Sequence, residues 1–186
     1  MALLTGSNGA GKSTLLRAIV YLLPYRGEVS IAGHDPSSLA GRSKFVFVPD
    51  EAALYEDLTL REHVSFTHLL YSQPEAEARA LSWLKGFNLG DRLDEFPSTH
   101  SRGMRQKLAL SLALALDTPL IILDEPFNGL DADAQELLVR ALRERAEQGG
   151  TALLTAHQGE LGAALGAKVL ELRAGELTER RPAGSR

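Results

Sequence analysis

The stretch Gly6–Thr14 reads G-S-N-G-A-G-K-S-T and fits the phosphate-binding pattern G-x-x-x-x-G-K-[ST]. Its glycines allow a tight turn that points backbone N–H groups inward at phosphate oxygens. Lys12 adds a positive charge for the β- and γ-phosphates, and the Ser13 hydroxyl is a ligand for Mg²⁺. An apolar strand, Ala2–Thr5, precedes this loop, and a helical apolar stretch, Leu15–Leu23, follows it. The pattern therefore predicts a site for nucleotide phosphates.

Composition and charge are those of an ordinary globular domain. The chain has 186 residues, 44% of them hydrophobic and 24% charged, which is enough for one domain with a substantial core. A formal net charge of −4 provides no broad basic surface, so we expect no nucleic acid among the partners. The absence of cysteine excludes disulfides and thiolate metal sites. We expect no transmembrane segment or signal peptide, because the longest apolar stretch, Leu108–Leu116, covers only about half a bilayer.

Apolar periodicity alternates between strand and helix along the chain. Short apolar or alternating runs predict strands at Ala2–Thr5, Glu28–Ala32, Lys44–Val48, Leu120–Asp124 and Thr151–Thr155, with a closing hairpin of Lys168–Arg173 and Glu176–Thr178. Helical spacing predicts helices at Leu60–Tyr71, Pro74–Phe87, Arg102–Leu116 and Ala132–Gln148. Strands alternating with helices indicate an α/β fold with a mostly parallel sheet flanked by helices, and the helical block indicates an inserted α-helical subdomain.

A second candidate site follows the apolar strand Leu120–Leu123, which ends in two acids. At the carboxyl end of a parallel strand beside a phosphate loop, an acid is positioned to hold Mg²⁺. We assign that role to Asp124, directly or through water, and expect Glu125 to polarise a water toward the γ-phosphate. The plain alternative is a strand that runs into an acidic turn.

A third site opens the helix that is predicted from Arg102. Ser101 can act as its N-cap, and Gly103 frees a backbone N–H, so this helix start can bind an anion. One nucleotide cannot easily be served by two helix N-termini of the same compact domain. Taken alone, the motif is better read as an ordinary N-cap.

Taken in order, these motifs resemble the ATP-binding subunit of ABC transporters. Gly6–Thr14 matches Walker A, Ser101–Met104 the ABC signature, Leu120–Glu125 Walker B, Gly129–Leu130–Asp131 the D-loop and His157 the switch histidine. The resemblance covers essentially the whole chain. Residues 49–63 and 96–107 are more specifically similar to the ABC-2-type exporter ATPases, including the Ecs-like group.

The resemblance implies a P-loop NTPase fold and the cofactors ATP and Mg²⁺. It divides the single ABC ATPase domain, 1–186, into a RecA-like core of 1–50 and 117–186 and a helical subdomain of 51–116 that carries the signature. The implied nucleotide-binding residues are Gly6, Ser7, Asn8, Gly9, Ala10, Gly11, Lys12, Ser13 and Thr14, and the implied metal ligands are Ser13, Asp124 and Asp50.

The resemblance also accounts for the third site, because two subunits would pack head to tail around two ATP molecules. The subunits would be identical or paralogous. Glu125 and His157 would be catalytic, with His157 contacting the γ-phosphate, and Asp131 would report to the other site. The residues that would contact the partner's ATP are Ser101, Arg102, Gly103 and Met104.

Three features depart from the family pattern. Asp50 replaces the glutamine usually found after the strand before the helical subdomain, which adds a negative charge beside a triphosphate. His100 and Arg102 stand where leucine and glycine are commonest, and Arg102 could favour the anion. The family's N-terminal segment, with an aromatic that stacks on adenine, has no counterpart before Met1, so either the start is misassigned or the chain is short.

The function that the resemblance implies is an ATP-hydrolysing motor subunit of a membrane exporter, cytoplasmic and peripheral on the inner face of the cell membrane. Its partner would be a transmembrane permease subunit, with one helix docked near Asp50 and the Leu54–Leu70 region. Exposed Leu54 and Tyr55 would support this dock, whereas burial would make them core of the helical block. The alternatives are a soluble ABC-type ATPase not tied to transport and a truncated ATP-binding product without turnover.

Overall fold

One mixed sheet organises the molecule in the computed structural model, which describes residues 1–156 and 161–180. Within these residues the sheet has six strands in the order β2-β3-β4-β1-β5-β6. All neighbouring strands run parallel except β5 and β6, which form an antiparallel hairpin. The strands are β1 (Ala2–Thr5), β2 (Phe45–Val48), β3 (Leu120–Leu123), β4 (Thr151–Thr155), β5 (Lys168–Arg173) and β6 (Glu176–Arg180).

Helices connect these strands and cover the sheet. They are α1 (Lys12–Ile19), α2 (Leu39–Arg42), α3 (Leu60–Tyr71), α4 (Glu75–Gly86), α5 (Arg102–Ala115), α6 (Ala132–Glu147) and α7 (Leu161–Leu165), with 3₁₀ turns at Gly90–Arg92 and Pro97–Thr99. The predicted α/β fold with a mostly parallel sheet flanked by helices is therefore confirmed.

The central strands are continuous apolar runs because both faces of the sheet are buried. Successive side chains of a strand point to opposite faces. Leu3 and Ile121 accordingly belong to the larger core, whereas Leu4 and Ile122 belong to a smaller core on the other face. Leu16 of α1 packs into that smaller core. This helix follows the phosphate loop directly, so its packing fixes the loop against the sheet.

The segment between β2 and β3 is helical, as its spacing predicts. Thr59 and Glu62 form a capping box at the start of α3, which defines where that helix begins. Arg79 of α4 donates to the carbonyl of Ala115 at 2.6 Å, and Tyr71 of α3 donates to the carbonyl of Phe45 at 3.3 Å. These bonds tie the helices to one another and to β2. The division into 1–50 and 117–186 against 51–116 stays a prediction.

The predicted strand Glu28–Ala32 is wrong. Ile31 and His34 exchange backbone hydrogen bonds of 2.9 and 3.0 Å across a tight turn in which Ala32 has φ +50°. The apolar signal came from Ile31, which is buried in the smaller core without forming a strand of the sheet. Similarly, the first helix ends at Ile19 rather than Leu23, because the chain turns where Tyr21 takes φ +60°.

Candidate functional site

The phosphate loop connects the end of β1 to the start of α1. Gly11 is the N-cap of α1 and has φ +99°, a left-handed conformation that favours glycine. No side chain of the described chain caps this helix start. A Cβ on Gly6 would lie 2.6 Å from the carbonyl oxygen of Leu172, so the loop passes too close to β5 for a side chain there. The loop therefore presents backbone at a helix N-terminus, the arrangement that binds phosphate.

Lys12 lies under this loop rather than out in solvent, with 7% of its surface exposed. Its Nζ donates to the carbonyls of Gly6 and Ser7 at 3.0 and 3.4 Å. The same Nζ lies 3.8 Å from Oε1 of Glu125. The structure thus brings Lys12 of the phosphate loop close to Glu125, which follows β3. That both acids and the loop form one nucleotide site stays a prediction.

Both acids are buried at the carboxyl end of β3, and a residue that sequence reasoning missed holds them. Thr155 ends β4, the neighbour of β3, and is fully buried. Its hydroxyl accepts from the backbone N–H of Glu125 at 2.7 Å and donates to Oδ1 of Asp124 at 2.7 Å. The available signal was a hydroxyl residue at the end of an apolar strand, just before the candidate His157.

The geometry of the two acids fits different roles. Asp124 is 1% exposed, and its Oδ2 has no hydrogen-bond partner among the described residues. A buried carboxylate oxygen of this kind is a suitable ligand for Mg²⁺. Glu125 has φ +49°, a conformation that is costly outside glycine and is found at functional sites. Its backbone bond to Thr155 holds that conformation.

At the start of α5, Ser101 and Arg102 of the predicted signature are exposed, whereas Gly103 and Met104 are half-buried. Ser101 is the N-cap and accepts from the backbone N–H of Met104 at 3.3 Å, so the predicted cap is confirmed. In the part of the chain that the structure describes, no hydrogen bond or ion pair joins Ser101–Met104 to the phosphate loop. His100 is buried and bonded to Oε2 of Glu95 at 3.0 Å, so its role is to hold this loop.

Asp50 lies after β2 and contacts Arg102 of the predicted signature. Its Oδ1 accepts from the guanidinium of Arg102 at 3.0 Å and from the side-chain amide of Asn128 at 3.1 Å. Asn128, which sequence reasoning missed, belongs to a turn in which its backbone N–H donates to the carbonyl of Glu125 at 3.1 Å. Two of the departures from the family pattern, Asp50 and Arg102, are therefore bonded to each other.

The segment after β3 packs closely on the start of α5. A Cβ on Gly103 would lie 2.3 Å from the carbonyl oxygen of Gly129. Asp131 is the N-cap of α6, accepts from Ala134 at 2.9 Å and pairs with Lys107 of α5. The bond from Lys107, assisted by the backbone bond from Ala134, lowers the pKa of Asp131. The candidate His157 lies outside the described residues.

A family model described as ABC transporter matches residues 1–128. The chain belongs to the ABC transporter family. The predicted family is confirmed, and with it the assignment of the chain as an ATP-binding cassette.

Two curated relatives of this family come from Bacillus subtilis (strain 168). The ABC-type transporter ATP-binding protein EcsA is 38% identical over 161 residues, which are 83% of this chain and 64% of EcsA. The chain thus spans slightly less than two thirds of that relative. The SkfA peptide export ATP-binding protein SkfE is 32% identical over 179 residues, 95% of this chain and 75% of SkfE. These matches confirm the predicted similarity to the Ecs-like, ABC-2-type group.

A solved structure agrees with the family assignment. The chain superposes on a dimeric structure of the ATP-binding cassette MJ0796 in a post-hydrolysis state, bound to ADP and Pi, with a TM-score of 0.86 and 29% identity. The match covers 100% of this chain and 86% of that chain. Among residues 1–156 and 161–180, no helix is long and apolar enough to cross a membrane.

Proposed function

We propose that the chain is the ATP-hydrolysing motor subunit of an ABC membrane exporter. The observation that carries the proposal is the 3.8 Å approach of Lys12 Nζ to Glu125 Oε1, with the buried Asp124 beside it. A phosphate-binding lysine, a metal-binding acid and a water-activating acid then share one site. The family supports ATP as the nucleotide, and the peptide export named for SkfE supports the direction.

The chemistry follows from these positions. The backbone of the phosphate loop, from Gly6 to Thr14, binds the phosphates, and Lys12 moves from its loop carbonyls to the β- and γ-phosphates. Asp124 and the Ser13 hydroxyl would hold Mg²⁺, which would supply positive charge to offset the negative charge of the phosphates. Glu125 accepts a proton from the attacking water, and Thr155 holds the backbone of Glu125 and the carboxylate of Asp124 in place.

A head-to-tail dimer, identical or paralogous, completes each site in this proposal. The exposed start of α5 in one protomer would supply Ser101–Met104 to the nucleotide of the other, where Ser101 and Gly103 contribute a helix N-terminus. The dimeric state of the MJ0796 cassette with ADP and Pi supports this arrangement. His157 would contact the γ-phosphate, and Asp131 would carry the state of one site to the other.

A permease subunit would bind the apolar surface beside β2, which places the chain on the inner face of the cell membrane. A groove of about 230 Å³ lies between β2 and the helices α3 and α5, lined among others by Val46, Val48, Leu54, Leu70, Tyr71 and Leu112. Leu70, which lines the groove, is 67% exposed. Leu54 is half-buried against the larger core, whereas the next residue, Tyr55, is 57% exposed and packs edge-on against the ring of Phe66. An apolar, solvent-facing groove of this kind fits an apolar or amphipathic helix.

Hydrogen bonds through His63 hold Tyr55, the residue that follows Leu54 of the groove. The backbone N–H of Tyr55 donates to Nε2 of His63 at 3.0 Å, while Nδ1 of His63 donates to the carbonyl of Thr59 at 2.9 Å. Burial lowers the pKa of His63, which keeps the ring neutral and able to accept the Tyr55 bond. An exposed aromatic residue that is already held in place beside the groove reduces the entropic cost of binding a partner helix.

Leu70→Asp is expected to release the protein from membranes, because it places a charge in this groove without removing buried core. When the chain is expressed in its source cells, we expect at least about a tenfold drop in the membrane-bound fraction, equal to about 1.4 kcal/mol. Leu177→Asp is the matched control, because Leu177 on β6 is another exposed leucine, and it should leave the membrane-bound fraction unchanged. If the unsubstituted chain bound protein-free lipid vesicles as well as it binds cell membranes, a dock on a permease would be contradicted.

Lys12→Ala tests the nucleotide site itself. It removes a charge-assisted donor, so we expect about tenfold weaker binding of a fluorescent ATP analogue. Lys168→Ala is the control, because Lys168 is an exposed lysine, 3.9 Å from Glu179, at the start of β5, beside Ala2 and at the opposite end of the strand from the loop contact at Leu172. Unchanged affinity in Lys12→Ala would contradict this site as the ATP site.

A further inference from the structure

Asp50 and Arg102 form an ion pair between two parts of the chain that are 52 residues apart. Asp50 follows β2, and Arg102 is the first residue of α5. The guanidinium donates to Oδ1 of Asp50 at 3.0 Å, and Asn128 donates to the same oxygen at 3.1 Å. Each residue is an unusual choice for its position in the family pattern, and the structure shows that the two unusual choices meet.

The position of Asp50 brings its negative charge close to the other two acids of the candidate site. β2 is the parallel neighbour of β3, and the backbone N–H of Asp124 donates to the carbonyl of Val48 at 2.9 Å. The Asn128 that binds Asp50 sits in the turn that begins at Glu125. Asp50 therefore lies at the carboxyl ends of the strands, where Asp124 and Glu125 also lie. A polyphosphate brought to this edge meets three carboxylates, and each one opposes its charge.

Arg102 is placed to offset that repulsion. We propose that Arg102 is a positioning residue that supplies the counter-charge for Asp50, so that an acid can lie beside the polyphosphate without weakening ATP binding. The inference rests on the proposed function, because it needs ATP in the phosphate loop of the same chain. It also assigns Arg102 a task within its own protomer, separate from contact with the partner's nucleotide.

The exposure of the pair sets the size of the effect. The side chains of Arg102 and Asp50 are 64% and 41% exposed, so solvent and salt screen their attraction and the pair adds little to folding stability. The effect should appear in the binding of a multiply charged ligand and should shrink as salt rises. Since neither side chain is buried, substitutions at both positions should leave the fold intact.

Four proteins test the pair: the unsubstituted chain, Arg102→Gln, Asp50→Asn and the double variant. The measurement is titration with a fluorescent ATP analogue and Mg²⁺ at low salt, with monomeric protein. Arg102→Gln should weaken binding about three- to tenfold, because it leaves the charge of Asp50 uncompensated. The same substitution in the Asp50→Asn background should change affinity less than about twofold. Arg102→Lys, which keeps the charge, should bind ATP like the unsubstituted chain.

Arg61→Gln is the matched control. Arg61 pairs with Asp94 at 2.9 Å on the helical segment, in another exposed ion pair, and its loss should leave ATP affinity unchanged. Additive effects of Asp50→Asn and Arg102→Gln would overturn the proposal, and so would tighter ATP binding in Arg102→Gln. Failure of the unsubstituted chain to bind ATP would instead overturn the proposed function and this inference together, so the two failures are distinguishable.

Discussion

Glu125→Gln is expected to abolish ATP hydrolysis while preserving ATP binding, and thereby to trap a dimer in the presence of ATP and Mg²⁺. Glutamine keeps the size of the side chain but cannot accept a proton from water. Loss of a positioned general base costs about 10²–10⁴-fold in rate. The backbone bond from Glu125 to Thr155 at 2.7 Å does not depend on the carboxylate, so the site should keep its shape.

The same substitution has a second consequence at Lys12. Oε1 of Glu125 lies 3.8 Å from Nζ of Lys12. Glu125→Gln removes the negative charge of this carboxylate, while the bond from Lys12 to the uncharged carbonyl of Gly6 remains. An anionic phosphate then becomes a better partner for Lys12. We therefore expect ATP affinity in Glu125→Gln to equal or exceed that of the unsubstituted chain, which favours accumulation of the ATP-bound state.

Molar mass in solution, measured by light scattering with and without ATP and Mg²⁺, checks the trapped dimer. Phosphate release measured in parallel checks the loss of hydrolysis. Glu136→Gln, an exposed acid on α6, is the control and should behave like the unsubstituted chain in both assays. A protein that binds ATP but stays monomeric under both conditions would contradict the dimer mechanism for this chain.

The local parts of the site were predictable from the sequence. The strand, glycine-rich loop and helix around Lys12 are consecutive residues, so their pattern alone indicates their geometry. The strand that ends at Asp124 was also predictable, because its apolar residues are uninterrupted. These predictions needed no knowledge of which strands are neighbours.

The contacts that hold the site were not predictable in the same way. Thr155 binds both acids only because β4 lies beside β3, and strand order is a property of the whole sheet. The meeting of Asp50 with Arg102 depends on how the helical segment sits against β2, which sequence periodicity does not specify. Residues such as Asn128 carry no signal of their own, because asparagine in a turn is ordinary.

Gly103 shows why a motif residue can have two reasons for its identity. Its role by resemblance is to offer a backbone N–H to the partner's nucleotide. The structure adds that a Cβ at this position would lie 2.3 Å from the carbonyl oxygen of Gly129, in the segment that leads to Asp131. Gly103 lies in the first turn of α5, and Gly129 lies just before α6. The backbone at both positions is held by helix structure, so neither segment can move easily to relieve the clash.

Gly103→Ala is therefore expected to push the start of α5 away from the D-loop. Overpacking of this kind costs about 1–3 kcal/mol in the free energy of unfolding. For a chain of this size, that corresponds to a fall of about 2–12 °C in Tm. In the proposed dimer the displaced helix start is also the surface that contacts the partner, so we expect Gly103→Ala to prevent the ATP-dependent dimer when it is combined with Glu125→Gln.

Thermal unfolding without nucleotide and molar mass with ATP separate the two consequences of Gly103→Ala. Gly90→Ala is the control, because a Cβ there would meet Lys85 at an ordinary 3.4 Å. ATP binding by the monomer should survive in Gly103→Ala, since the phosphate loop of the same protomer does not contact Gly103. An unchanged Tm together with normal dimer formation would show that Gly129 yields freely, and the packing argument for this glycine would then be wrong.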